Sequence, residues 1–316
     1  MTSILKTRPD TGTLILAAVL VIAACTPLLG EAYLTRLATT FLIYAIVALS
    51  LDFLVGYGGM VSFGHAAFFG LGTYAAAFLG LNGINDLTMV LALSFLIAAT
   101  GALVIGAFSL RTRGAYFIMI TLAFAQMLYY ASVAVTKFGG DDGIRVPRNH
   151  LFGFALSTPA SFFYVVFGVF LLIFVLLHRV VLSRFGRTIL AIKDNEGRVA
   201  SAGYNPFVYQ LTAFCLAGGI AGMAGALQAN LNEYASSDTF HWVLSGDFLV
   251  MIILGGVGTL AGPVLGTALF LLLQNIISAY TPFWMIVMAP LILAIVLSSS
   301  GGIYALLARL PRGARA

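Results

Sequence analysis

Three side chains could do chemistry within an otherwise apolar chain: Asp52, His65 and Asp247. Carboxylates and imidazoles carry general acid–base work and proton relays. All three fall in or beside apolar runs, where an ionisable group is costly and usually faces a cavity or a partner. Each carboxylate has two readings: it lines a path, or it caps backbone amides and meets interfacial water. His65, in Ser62-Phe63-Gly64-His65-Ala66-Ala67, reads more simply as a packing hydrogen-bond donor. The other candidates are scattered. His178 abuts Arg179 at the end of an apolar run, while His150 and His241 lie in polar loops. No HxxxH or HxxE pairing occurs, so no metal site is expected. Cys25 and Cys215 sit in apolar stretches and give no disulfide framework. There is no GxxxxGKS/T loop, so the chain does not hydrolyse ATP by itself. The glycines of Gly256-Val257-Gly258-Thr259-Leu260-Ala261-Gly262 miss the dinucleotide spacing and suit helix packing. No cofactor is expected.

The elements that position these groups are set by composition. Of 316 residues, 61% are hydrophobic and 9% charged, against about 25% charged in soluble domains. This is an all-α, polytopic integral membrane protein, read as one transmembrane domain over residues 1–316. The net charge of +5 is too small to imply nucleic-acid binding. A span needs about 20 apolar residues. Ten candidates follow, at about 13–29, 38–55, 60–81, 87–110, 116–135, 161–182, 207–231, 243–260, 264–280 and 283–299. The first also resembles a signal peptide, with Ile22-Ala23-Ala24-Cys25 like a lipoprotein cleavage box; continuous apolarity downstream favours a span.

Ten spans place both termini on one side. That side collects Lys6, Arg8, Arg111, Arg113, Arg179, Arg184, Arg187, Lys193, Arg198, Arg309, Arg312 and Arg315. The other has Arg36, Lys137, Arg145 and Arg148. Twelve cations against four make the termini cytoplasmic by the positive-inside rule. Asp52 then lies near the cytoplasmic end of the second span and Asp247 near the outer end of the eighth. An enzyme that joined Asp52, His65 and Asp247 would need groups from opposite faces to meet. A stand-alone ion-coupled carrier is disfavoured by the scarcity of mid-membrane ionisable groups.

The longest polar interruption is residues 182–206, LSRFGRTILAIKDNEGRVASAGYNP. Ile189, Leu190 and Ile192 sit among the charges, which predicts a short amphipathic helix. Gly203 is a candidate C-cap and Pro206 opens the next span. The segment is either an orienting loop or a docking surface. Glycines crowd 56–72 and recur at 255–258, which weakly suggests an internally duplicated fold. Without Cβ atoms, backbones approach closely or leave the helix, so broken helices along a path and tight packing are both open.

Several stretches in order resemble the permease family of branched-chain amino acid ABC transporters, the LivM-type subunit. They are Ala48 to Tyr57 with Val61 to Gly70; Leu110 to Phe117 with Thr121 to Phe124; the outer loop from Gly139 to Pro147; Ser183 to Arg187 with Ala191 to Glu196 and Gly203 to Asn205; and Leu254 to Thr259 with Gly262 to Gly266. Asp stands at 52 and 247 where the family often has Asn and Glu. The resemblance implies an importer permease in a bacterial inner membrane, moving branched-chain or related amino acids; urea and short-amide permeases share the pattern. It implies two ABC ATPase subunits, a second paralogous permease, a periplasmic solute-binding protein and the lipid bilayer as partners. ATPase coupling would fall to Arg184, Gly186, Arg187, Ile189, Ile192, Asn195, Glu196, Arg198 and Gly203. The translocation pathway would involve Asp52, Gly56, Ser62, His65, Gly70, Gly255 and Gly256. Asp141, Asp142 and Arg145 would meet the binding protein.

Overall fold

A computed structural model describes residues 11–135, 139–151, 154–156, 158–298 and 301–304. Its helices are α1 (Thr11–Cys25), α2 (Ala32–Asp52), α3 (His65–Leu81), α4 (Leu87–Ser109), α5 (Ala115–Ala134), α6 (Pro159–Leu182), α7 (Arg184–Asp194), α8 (Glu196–Ser201), α9 (Pro206–Asn232), α10 (Trp242–Gly255), α11 (Ala261–Tyr280) and α12 (Trp284–Ser298). Among the described residues, six helical segments are long and apolar enough to cross a membrane, and four shorter helices are also apolar. The chain is an all-α polytopic membrane protein. Lys6, Arg8, Lys137, Arg309, Arg312 and Arg315 lie outside the described residues.

Helix α2 runs through the middle of the bundle, and every side chain from Leu42 to Ala48 except Tyr44 is inaccessible. It continues into one π-helical turn, Phe53–Tyr57. The backbone then leaves the helix, with Gly59 at φ 68°. The third helix therefore starts at His65, five residues later than its apolar run. Gly64 N–H is taken by Ser62 Oγ at 3.1 Å and Phe63 N–H by Thr121 Oγ1 at 3.2 Å. Side chains satisfy amides that a helix would have satisfied, as burial requires.

Helices α3, α4 and α9 form a seam of small residues. A Cβ on Gly72 would lie 1.9 Å from Gly222 O, and one on Gly225 would lie 1.9 Å from Phe69 O. The backbones touch here because no side chain separates them. In lipid, where apolar transfer adds little, such close packing drives helix association. The α10–α11 hairpin repeats the device: a Cβ on Gly255 would lie 1.9 Å from Gly262 O.

The polar loops gather at the end of the bundle where α2 begins. Strand β1 (Ile144–Arg145) pairs antiparallel with β4 (Tyr234–Ala235), and β2 (His150–Leu151) with β3 (Phe154–Ala155). Arg36 donates to Asn232 Oδ1 at 3.0 Å, tying the start of α2 to the end of α9.

Candidate functional site

The charged segment after α6 folds as two helices, where the sequence predicts one. Ser183 caps α7, its Oγ accepting from Gly186 N–H at 3.3 Å. Phe185, Ile189 and Ile192 recur at helical spacing and face the bundle. Phe185 stacks on Tyr209 of α9, with centroids 5.6 Å apart. Gly186 is pressed against the end of α6: a Cβ there would lie 2.4 Å from Val181 O. Asn195 then closes α7 and caps α8, its side chain accepting from Arg198 N–H at 2.9 Å. Gly203 adopts φ 87°, and Pro206 is the first residue of α9, as expected.

The assignment of Ile189 and Ile192 to a partner-facing surface is corrected. They are only 1% and 3% exposed and pack into this chain's own core. Gly186 is likewise buried. The outward ridge of α7 is Arg184, Arg187, Ala191 and Asp194, at i, i+3, i+7 and i+10, joined by exposed Asn195 and Arg198 of the next turn. Glu196 is half-buried and ion-paired with Arg113 at 2.9 Å.

One cationic group of α7 faces the opposite way. Lys193 Nζ donates to Gly56 O at 2.6 Å. Gly59 lies against the stem of the same side chain. Gly56 stands in the π-helical turn that ends α2, and its backbone meets Gly258: a Cβ on Gly56 would lie 2.5 Å from Gly258 Cα. Asp52, one turn before Gly56, accepts from Gly258 N–H at 2.7 Å through Oδ1. The break at 56–59 and the break at 255–258 thus touch, joined by one buried carboxylate. Asp52 Oδ2 has no hydrogen-bond partner among the described residues.

The second break is itself braced. Gly256 has φ 116° and caps α10 by donating to Ile252 O. Thr259 Oγ1 donates to Gly256 O at 2.8 Å and accepts from Gly262 N–H at 3.1 Å. Gly255 is fully packed against α11.

Asp52, Gly56, Gly255 and Gly256 come together at this junction. Ser62, His65 and Gly70 do not join them. His65 Nε2 meets Ser50 Oγ at 3.2 Å. Ser50 Oγ gives its own proton to Val47 O, so the imidazole is the donor. That is the packing role expected of it, reinforced by an edge contact with Phe68 at 5.9 Å. A Cβ on Gly70 would lie 2.4 Å from the Phe240 ring. All seven pathway candidates are buried within this chain. Asp247 is elsewhere again, half-buried in an apolar groove with Val250, Ile253, Trp284 and Met288.

A cleft of about 440 Å³ opens beside Lys193, lined among others by Gly59, Thr112, Arg113, Glu196 and Gln210. The Arg113–Glu196 ion pair joins two of those lining residues. Sequence reasoning missed Lys193, Gly258 and Arg113 as site residues. The available signal was small: Asp52 and Gly56 are four apart, one turn on a helix, and Lys193 adjoins the buried Ile192.

At the other end, Arg145 is exposed on β1, opposite Tyr234. Asp142 is exposed, and its carbonyl accepts from Tyr234 Oη. The side chain of Asp141 lies outside the described residues. Arg148 pairs with Glu233 at 2.5 Å, and Val146 N–H donates to Glu233 O at 3.0 Å. Glu233 caps α9 at φ 54°.

Residues 33–296 match the family model described as the permease component of the branched-chain amino acid transport system. The chain is 30% identical over 304 residues to the high-affinity branched-chain amino acid transport system permease protein LivM of Salmonella typhimurium, covering 88% of this chain and 71% of that one. The Escherichia coli protein of that name is 29% identical with the same coverage. A probable branched-chain amino acid transport permease protein LivM of Methanocaldococcus jannaschii is 24% identical, over 76% of this chain and 80% of its own. No solved structure matches the chain significantly.

Proposed function

The chain belongs to the branched-chain amino acid transport permease family, and on that premise we propose that it forms half of the conduit of an ATP-driven importer for branched-chain or related amino acids. The observation that carries this reading is the α7–α8 pair. It packs its apolar side onto this chain and turns Arg184, Arg187, Ala191 and Arg198 outward, a built surface rather than a slack linker. A loop that only oriented the chain would need the charges but not the capped helices or the buried Gly186.

The α7–α8 surface docks an ATPase subunit, one of two in the complex. A second, paralogous permease completes the conduit, and a solute-binding protein delivers solute to the other end. Asp142, exposed just before β1, and Arg145, exposed on it, belong to that delivery surface; Asp141 is assigned with them. ATP-driven movement of α7–α8 tips the spans between outward and inward access. The buried candidates Asp52, Gly56, Gly255 and Gly256 serve the pathway by shaping two helix breaks rather than by touching solute. Ser62, His65 and Gly70 hold the adjoining helices in place.

Ten crossings with both termini cytoplasmic, in a bacterial inner membrane, fit the alternation of ends. The close of α2, the α7–α8 pair and the 255–258 break share one end. The start of α2, the close of α9 and the β1–β4 ladder share the other.

Double charge reversal, Arg184→Glu with Arg187→Glu, tests the docking. Single surface ion pairs contribute about 0–1 kcal/mol, but reversing two charges adds repulsion from an acidic partner surface. The variant is expected to insert and fold normally while losing the co-purifying ATPase and all uptake. Undiminished ATPase capture with normal uptake would return the segment to an orienting loop.

A further inference from the structure

We propose that Lys193, Gly56, Asp52 and Gly258 form a tie that transmits the movement of α7 to both helix breaks at once. Lys193 and Asp52 thereby act as positioning residues for transport. This rests on the reading of α7 as the ATPase-docking helix.

The geometry is a series. The ammonium of Lys193 holds the Gly56 carbonyl at 2.6 Å. Gly56 is in backbone contact with Gly258. Asp52 holds Gly258 N–H at 2.7 Å from one turn back on the same helix as Gly56. A pull on Lys193 therefore acts on the end of α2, and through it on the turn between α10 and α11.

Each link is chemically suited to carry load. The Lys193 ammonium makes a charge-assisted hydrogen bond, stronger than a neutral one, and Asp52 Oδ1 accepts a short bond from Gly258 N–H. Gly56 sits in a π-helical turn, where the carbonyl ladder is interrupted and a carbonyl can accept from outside the helix. Gly59 lies against the Lys193 stem, which keeps that stem on one course.

The links also explain features that packing alone leaves idle. Ile189 and Ile192 already bury the apolar face of α7, and Ser183 and Asn195 already cap it. Lys193 is not needed to fold the helix. It is an exposed residue and yet sends its charge to one specific carbonyl at the end of another helix. Asp52 is fully buried, which is costly unless the charge meets donors. The donor it meets is the amide that joins the two breaks.

The test is a coupling measurement on the complete complex, with ATPases, partner permease and binding protein, in proteoliposomes. Lys193→Met keeps the stem and removes the donor. It is expected to leave ATPase co-purification and basal ATP hydrolysis unchanged. Solute moved per ATP should fall about ten- to a hundredfold, the range for losing a hydrogen bond from a charged donor. Lys193→Arg, which keeps donors at similar reach, should recover much of the ratio. Asp52→Leu should give the same uncoupled pattern. The double variant should be no worse than either single, because the links are in series and such partners are not additive.

A wild-type coupling ratio in Lys193→Met would overturn the tie. So would a failure of Lys193→Met to assemble, since the ammonium would then shape α7 rather than transmit its motion. Additive losses in the double variant would make the two residues independent supports. If instead the wild-type chain captures no ATPase, the docking reading itself has failed, and that outcome is separate from any result with these variants.

Discussion

Two glycine-rich regions of this chain use the same residue for opposite ends. In the α3–α4–α9 seam, Gly72, Gly222 and Gly225 lie inside continuous helices and let backbones touch. At the junction of the two breaks, Gly56, Gly59, Gly256 and Gly258 end helices, three of them at positive φ. The side-chain bond across the seam is a neutral one, from Thr73 Oγ1 to Gly225 O at 3.1 Å. The junction is wired to Lys193 and Asp52. What separates them is the company that glycine keeps. Ala and Phe surround the seam, whereas Asp, Lys and Thr surround the breaks. On the proposed mechanism the seam holds its helices together and the junction is where movement of α7 is received.

The comparison would be broken most severely at the seam. Gly225→Val should abolish accumulation of folded protein, because even its Cβ would sit 1.9 Å from Phe69 O, a backbone atom that cannot rotate away. Ordinary overpacking costs about 1–3 kcal/mol, and a backbone clash exceeds that. Detergent-extracted yield and thermal unfolding check it. Normal yield would show the seam to be as adaptable as the junction.

At the junction the loss should be one of function. Gly56→Ala places a methyl 2.5 Å from Gly258 Cα and 2.8 Å from Asp52 Oδ1, parting the two breaks. Uptake should fall by an order of magnitude or more while expression drops less than in Gly225→Val, as expected if about 1–3 kcal/mol is spread over a region able to shift. Equal yields for the two variants would erase the distinction. Arg113→Ala should do least. Its partner is 31% exposed and Arg113 itself 80% exposed, so the pair is worth below about 1 kcal/mol. Uptake should stay near wild type. A large loss there would move the working site from the junction to the cleft mouth.

Much of this was legible in the sequence, for reasons that differ by residue. Membrane class and the long helices follow from apolar runs, which the bilayer leaves few ways to fold. The amphipathic segment follows from Ile189, Leu190 and Ile192 among charges, and its end from Gly203; the corner at Asn195, which splits it in two, was not legible. The sequence identifies which face of α7 is apolar. It does not say whether the covering surface is this chain or a partner, so Ile189 and Ile192 were turned outward in expectation and inward in fact. The delayed start of α3 was also hidden, because Ser62 and Thr121 satisfy the amides of an unwound stretch that hydropathy reads as continuous. Lys193 looked like one more positive-inside charge. Its role depends on Gly56, 137 residues away. The Asp52–Gly258 contact spans 206 residues, beyond any local pattern.

Asn195 ends one helix and begins the next with no residue between, its N–H on Ala191 O and its side chain on Arg198 N–H. That corner has no slack in length. Adding or deleting one residue there would turn α8 by about 100° about its axis and carry Arg198 out of line with Arg184 and Arg187. The corner should therefore accept substitutions more readily than a change of length. A change of length should be borne more easily beyond Ser201, where Gly203 and Tyr204 lead exposed into α9.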